Sequence, residues 1–101
     1  MGLNKEIAEK REQILSVAKK YGAQNVRVFG SVARGDDTEN SDIDFLVQLD
    51  SSNLKGMRYF GVLEEIREEL ERLLGRNVDV IDEFGLQNPL PEHVLKDAVS
   101  L

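Results

Sequence analysis

The 101-residue chain contains no cysteine. That excludes a disulfide framework and a thiolate metal site. It has no apolar run long enough to cross a bilayer, and residues 1–11 are polar and charged, unlike a signal peptide. Basic charge is scarce: 13 Lys and Arg stand against 19 Asp and Glu, for a formal net charge of −6. Duplex-binding domains draw most of their affinity from neutralising phosphates, so long nucleic acid is disfavoured as the main partner. The one histidine, His93, lies in the tail and reads as a surface helix residue rather than a general base. With 41% hydrophobic and 32% charged residues, the chain is expected to be globular and cytoplasmic, without a membrane anchor. Residues 1–101 are expected to form a single domain with one modest core.

Periodicity predicts the order α-β-β-α-β-α. Residues 4–21 read as one helix, with Ile7, Ile14, Ala18 and Tyr21 near one stripe, Asn4 as N-cap and Gly22 at the C-terminal stop. Residues 26–29 are short, β-branched and aromatic, hence a strand. Gly30-Ser31 ends it, and Val32-Ala33-Arg34 forms a helical turn stopped by Gly35. Residues 36–41 are a polar loop. Residues 43–49 make a second strand with Ile43, Phe45 and Val47 on one face and Asp42 and Asp44 on the other. After a turn at 50–53 comes a long helix, 54–74, whose apolar face is Phe60, Leu63, Ile66, Leu70, Leu73 and Leu74, with Gly75 as the stop. Residues 77–81 form a third strand, Val78 and Val80 facing one way and Asp79 and Ile81 the other. Pro91 opens a last short helix carrying Val94, Leu95 and Ala98. Tyr21 and Tyr59 read as packing residues.

The chemistry concentrates in residues 29–47. Two aspartates at i and i+2 on a strand share a face, roughly 6–7 Å apart along the backbone. Close unneutralised carboxylates repel each other, and a hard cation relieves the repulsion. Mg²⁺ takes one or two carboxylates and completes its octahedron with substrate phosphate and water. Asp79, on a further strand and facing the same way, would permit a two-metal site; a register error of one residue would put Asp82 there instead. Gly30 lets backbone approach a phosphate, and Ser31 offers a hydroxyl at the start of a helical turn. Arg34 is placed either to reach a phosphate or a partner, or to cap its own turn. The acidic loop 36–44 lacks the glycine and closing glutamate of an EF-hand, which rules out that calcium site. Gly-Ser and Asp-x-Asp are each weak signals. Together at one fixed spacing they arise by chance in about three chains per thousand of this composition.

Gly30-Ser31, ten intervening residues and Asp42-Ile43-Asp44 resemble the signature of the DNA-polymerase-β-like nucleotidyltransferase superfamily. The fuller strings, Phe-Gly-Ser-Val-Ala-Arg-Gly-Asp at 29–36, Ser-Asp-Ile-Asp-Phe-Leu-Val at 41–47 and Gly-Arg-Asn-Val-Asp-Val-Ile at 75–81, resemble its minimal members, the MNT proteins. The resemblance implies an α/β (α+β) fold, a mixed β-sheet with helices packed on it. It implies a nucleoside triphosphate, most often ATP, and Mg²⁺ held by Asp42, Asp44 and Asp79, with Asp79 helping to activate the attacking hydroxyl. It implies, as partner, a HEPN-type toxin modified by transfer of AMP. Acceptor binding by a partner protein suits so short a chain. The readings that compete with it are an antitoxin that only masks its partner, and a transferase whose acceptor is RNA or a small molecule.

Overall fold

The computed structural model describes residues 5–50, 57–85 and 90–101. The expected Asn4 cap, the N-cap choices at 51–53, the helix start at 54–56 and residues 86–89 of the irregular stretch lie outside these residues. In chain order the elements are α1 (Lys5–Glu9), α2 (Arg11–Lys20), β1 (Ala23–Phe29), α3 (Gly30–Arg34), β2 (Ile43–Leu49), α4 (Met57–Leu74), β3 (Val78–Asp82), α5 (Glu92–Asp97) and β4 (Val99–Ser100). The four strands form one mixed sheet in the order β3-β2-β1-β4. β1 runs antiparallel to both neighbours, and β2 runs parallel to β3. No helix among the described residues is long and apolar enough to cross a membrane.

Three features depart from the sequence expectations. The first helix is two, broken at Lys10, whose side chain turns away to donate to the Leu73 carbonyl at 2.7 Å. That bond satisfies a carbonyl in the last turn of α4, where intrahelical partners run out. The buried stripe of Ile7, Ile14 and Ala18 survives the break. β1 begins at Ala23 rather than Val26, because a bulge between Gln24 and Arg27 interrupts the apolar alternation. Asn25 sits in the bulge at φ 52°, a conformation Asn tolerates better than most residues. The extra residue resets the phase, so Ala23, Val26 and Val28 are all buried. The tail adds β4, a two-residue strand too short to show periodicity. It is fixed by the Leu101 N–H to the Val26 carbonyl at 3.0 Å and by the Arg11 guanidinium on the Leu101 carbonyl. Pro91 precedes α5 as its N-cap instead of opening its first turn.

The sheet faces differ in kind. One face carries Val28, Ile43, Phe45, Val47 and Val78, which pack with Ile7, Ile14, Ile66 and Leu70 of the helices into the main core. Fully burying one such side chain is worth about 1.5–3 kcal/mol, so this face sets the register of the sheet. The other face carries a smaller cluster, Phe29 and Leu46 with Val94 of α5, and Ile81, Leu90 and Ala98 packed around them.

Asp82 belongs to the main core face and is 4% exposed. Its carboxylate accepts the Leu49 N–H and the Phe84 N–H, both at 3.1 Å, and the Tyr59 hydroxyl at 2.6 Å. The sequence reading of Tyr59 as a packing residue was incomplete, since its hydroxyl ties α4 to the end of β3. The phenol is pushed well above its ordinary pKa by burial and then by the bond to Asp82. Asp82→Ala leaves these three donors without their acceptor and is expected to cost about 2–4 kcal/mol, measured by urea unfolding. Tyr59→Phe removes one bond and should cost about 1 kcal/mol in the same measurement.

Candidate active site

Pairing brings the predicted residues to one place. The antiparallel ladder sets Phe29, the last residue of β1, opposite Asp44. The parallel ladder sets Asp44 beside Asp79. Asp42 precedes β2 by one residue and lies at the strand entrance, as the expected strand at 43–49 placed it. Asp79 and Ile81 face away from the main core, while Val78 and Asp82 are buried in it. The register question between Asp79 and Asp82 is thereby answered: Asp79 shares the face of Asp44, and Asp82 is a buried, fully engaged acceptor.

Electrostatics tie the three acids together. The Asp44 carboxyl is held above its ordinary pKa, by burial first, then by the negative charges of Asp79 and Asp42, while Arg34 pulls it back down. Negative charges close enough to raise the Asp44 pKa form with it a site that favours a cation. Among the described residues, no group of three or more His, Cys, Asp or Glu side chains forms a set that could hold a metal ion by itself. Mg²⁺ does not need one, since it draws only one or two carboxylates from a protein and takes its other ligands from phosphate and water.

Gly30 opens α3 directly after β1, at φ 74°. A Cβ at this position would lie 2.5 Å from Asp44 Oδ2. Glycine is therefore required twice, by its backbone conformation and by the carboxylate occupying the side-chain position. This cradle aims the Asp44 carboxylate at the Gly30-Ser31 turn, and a Mg²⁺–phosphate pair fits that donor set. Ser31 is half-buried next to it. Gly35 closes the turn at φ 81°, with the Asp36 N–H on the Ser31 carbonyl at 3.0 Å.

Arg34 does more than cap its turn. It bonds Asp36 Oδ2 at 3.3 Å and Asp97 Oδ2 at 3.0 Å, joining α3 to α5. Both carboxylates raise its pKa, Asp97 most. His93 is exposed on α5, and Tyr21 is engaged by Glu69, so neither enters the site. Arg76 is the residue the sequence reading quoted without a role. It binds the loop that leads to Asp42, and the only sequence signal was a lone arginine before a strand, in a chain with an acidic loop.

Two substitutions test this geometry. Gly30→Ala should destabilise the fold by about 1–2 kcal/mol through the left-handed backbone alone. It should also turn the Asp44 carboxylate and weaken Mn²⁺ binding, read by comparing melting with metal titration. For Asp44, a pKa raised in the fold means that the stability tied to this group is present below the ordinary carboxylate pKa and lost as pH rises through the raised one. At neutral pH the charged form works against the fold. Asp44→Asn should therefore raise Tm in metal-free buffer while removing activity.

The relatives of this chain bear on the same site. The family model described as Nucleotidyltransferase domain matches residues 10–100. A Methanocaldococcus jannaschii protein, provisionally named a protein adenylyltransferase, is 41% identical over 85 residues, spanning 84% of this chain and 80% of its own length. Protein adenylyltransferase MntA of Thermococcus cleftensis is 36% identical over 96 residues, 90% of this chain and 92% of that protein. A solved structure, provisionally described as a minimal nucleotidyltransferase, superposes with TM-score 0.77 at 41% identity, covering 94% of this chain and 92% of that one. The structure of a toxin–antitoxin with AMP-PNP shares the fold, with TM-score 0.71 at 23% identity over 88% of this chain and 69% of that one. The extent of these matches and the mixed sheet place the chain in the nucleotidyltransferase domain family.

Proposed function

We propose that this protein transfers AMP from ATP to a hydroxyl of a partner protein, with Mg²⁺, as the cytoplasmic antitoxin of a pair whose toxin is of the HEPN type. The observation that carries the reading is the lateral pairing of Asp44 with Asp79, with Asp42 close enough to raise the Asp44 pKa and Gly30 cut back to admit its carboxylate. Support for the acceptor comes from relatives named protein adenylyltransferases. Support for the partner comes from the toxin–antitoxin of the same fold and from the resemblance to minimal family members.

In this reading Asp42 and Asp44 hold Mg²⁺, two ions when Asp79 takes part, and the ions would neutralise charge on the attacking oxygen and on the departing pyrophosphate. The Gly30-Ser31 turn binds the triphosphate, Ser31 through its hydroxyl. Arg34, beside the site, contributes positive charge and keeps α3 against α5. The acceptor oxygen bonds to the α-phosphorus as the bond to the β-phosphate oxygen breaks. Its proton passes to Asp79, an exposed carboxylate paired laterally with Asp44.

The test incubates the protein with MgATP and the product of the neighbouring gene, then weighs the partner by mass spectrometry. A gain equal to one AMP is expected, and it should vanish in Asp42→Asn/Asp44→Asn. Complete neutralisation of the partner by that double variant, with no mass change, would sink transfer as the required mechanism and leave masking in its place.

A further inference from the structure

We propose that Arg76 is a positioning residue for the metal-binding carboxylates, locking Asp42 to the strand that carries Asp79. The inference rests on the functional reading above, in that Asp42 and Asp44 are taken to hold the metal. It goes further by assigning what holds Asp42 in place.

Asp42 has no strand of its own to fix it. It follows a polar loop closed on itself by short bonds: the Thr38 N–H to Ser41 Oγ at 2.9 Å, the Ser41 N–H to the Thr38 carbonyl at 3.0 Å, and the Asn40 N–H to Thr38 Oγ1 at 3.3 Å. Such a turn is ordered internally but needs an anchor to the sheet. Arg76, on the lead-in to β3, supplies one. Its Nη2 donates to the Thr38 carbonyl at 2.9 Å and to the Ser41 carbonyl at 2.6 Å, and its Nη1 lies 3.6 Å from Asp37 Oδ2. The side chain is only 15% exposed, and its bond to the Ser41 carbonyl is partly buried while that to the Thr38 carbonyl is open to water.

The Ser41 carbonyl belongs to the peptide plane that ends in the Asp42 nitrogen, so holding that oxygen holds the plane on which Asp42 begins. On the other side of Asp42, the Ile43 N–H donates to the Asn77 carbonyl at 3.0 Å. Neighbouring residues, Arg76 and Asn77, thus bracket Asp42 fore and aft, and Asp79 follows them in β3. The start of β3 is itself fixed by Glu71, whose Oε2 accepts the Val78 N–H at 3.0 Å. A lysine cannot repeat the arrangement, because one ammonium lacks the planar fork that reaches two carbonyls and a carboxylate together.

Groups that orient metal ligands without touching the metal typically contribute 10–100-fold to metal affinity. The experiment measures Mn²⁺ binding, as a stand-in for Mg²⁺, by electron paramagnetic resonance in the full chain, alongside Tm. Arg76→Gln should weaken Mn²⁺ binding about tenfold, Arg76→Lys by less, and millimolar guanidinium should restore part of the loss in Arg76→Gln. Lys10→Gln is the comparison, since it removes another long-range bond to a backbone carbonyl, one that does not touch the 37–42 loop. It should lower Tm and leave Mn²⁺ binding unchanged. Mn²⁺ affinity unaltered in both Arg76 variants would overturn the proposal and make Arg76 a stabilising contact only. Wild-type protein that binds Mn²⁺ no better than Asp42→Asn/Asp44→Asn would overturn the underlying metal assignment too, a result separable from the first.

Discussion

The arrangement turns on one lateral contact, Asp44 beside Asp79 in the parallel pairing of β2 with β3. By itself this contact is unfavourable. Like charges directly opposite on neighbouring strands cost up to about 1 kcal/mol, and burial of Asp44 adds to that. The opposite face of the same strands supplies the compensation. Ile43, Phe45 and Val47 of β2 and Val78 of β3 are buried against α4, each worth about 1.5–3 kcal/mol. The main core therefore dictates the register, and the register forces the acids together. A one-residue slip of β3 would relieve the repulsion only by turning Val78 and Asp82 out of the core and Asp79 into it.

The two faces of the sheet divide the labour. The face toward α2 and α4 is closed and apolar, with Asp82 as its one buried acid among the described residues, engaged by Tyr59 and two backbone N–H groups. The face toward α5 is a strip: acids near the strand entrances, then Phe29, Leu46 and Val94. Further along, the Arg27–Glu83 ion pair is joined by Gln48. Two acids three residues apart in β3 thus meet opposite fates, one as structural acceptor and one as site residue. The alternation of the strand decides which.

Much of this could be read from the residues. Ile43, Phe45 and Val47 alternate cleanly with Asp44, so the strand and the side on which its acid lies follow from period two. Gly30-Ser31 at its spacing from Asp42 and Asp44 specified the turn, and Gly30 indeed requires a positive φ. What could not be read has specific causes. The bulge at Asn25 hides the first half of β1 behind two polar residues, because an inserted residue breaks the pattern by which strands are recognised. The break at Lys10 has no proline or glycine to announce it, and arises from a tertiary bond to Leu73. β4 is two residues long and exists only because β1 offers it an edge. Arg76 was legible as a letter in a motif but not as a contact, since its partners are backbone carbonyls, which carry no side-chain identity.

The parallel pairing also bears on how the molecule acquires its activity. Asp44 and Asp79 are thirty-five residues apart in the chain, and parallel strands meet only after the intervening helix has crossed over. The β1–β2 hairpin closes a shorter loop and comes at lower entropic cost. Gly30, Ser31, Asp42 and Asp44 can therefore assemble locally, whereas Asp79 joins them through the longest-range pairing between consecutive strands. A chain that has formed only its hairpin has half a site. On the proposed roles of these acids, a nascent or partly unfolded molecule would then be chemically silent.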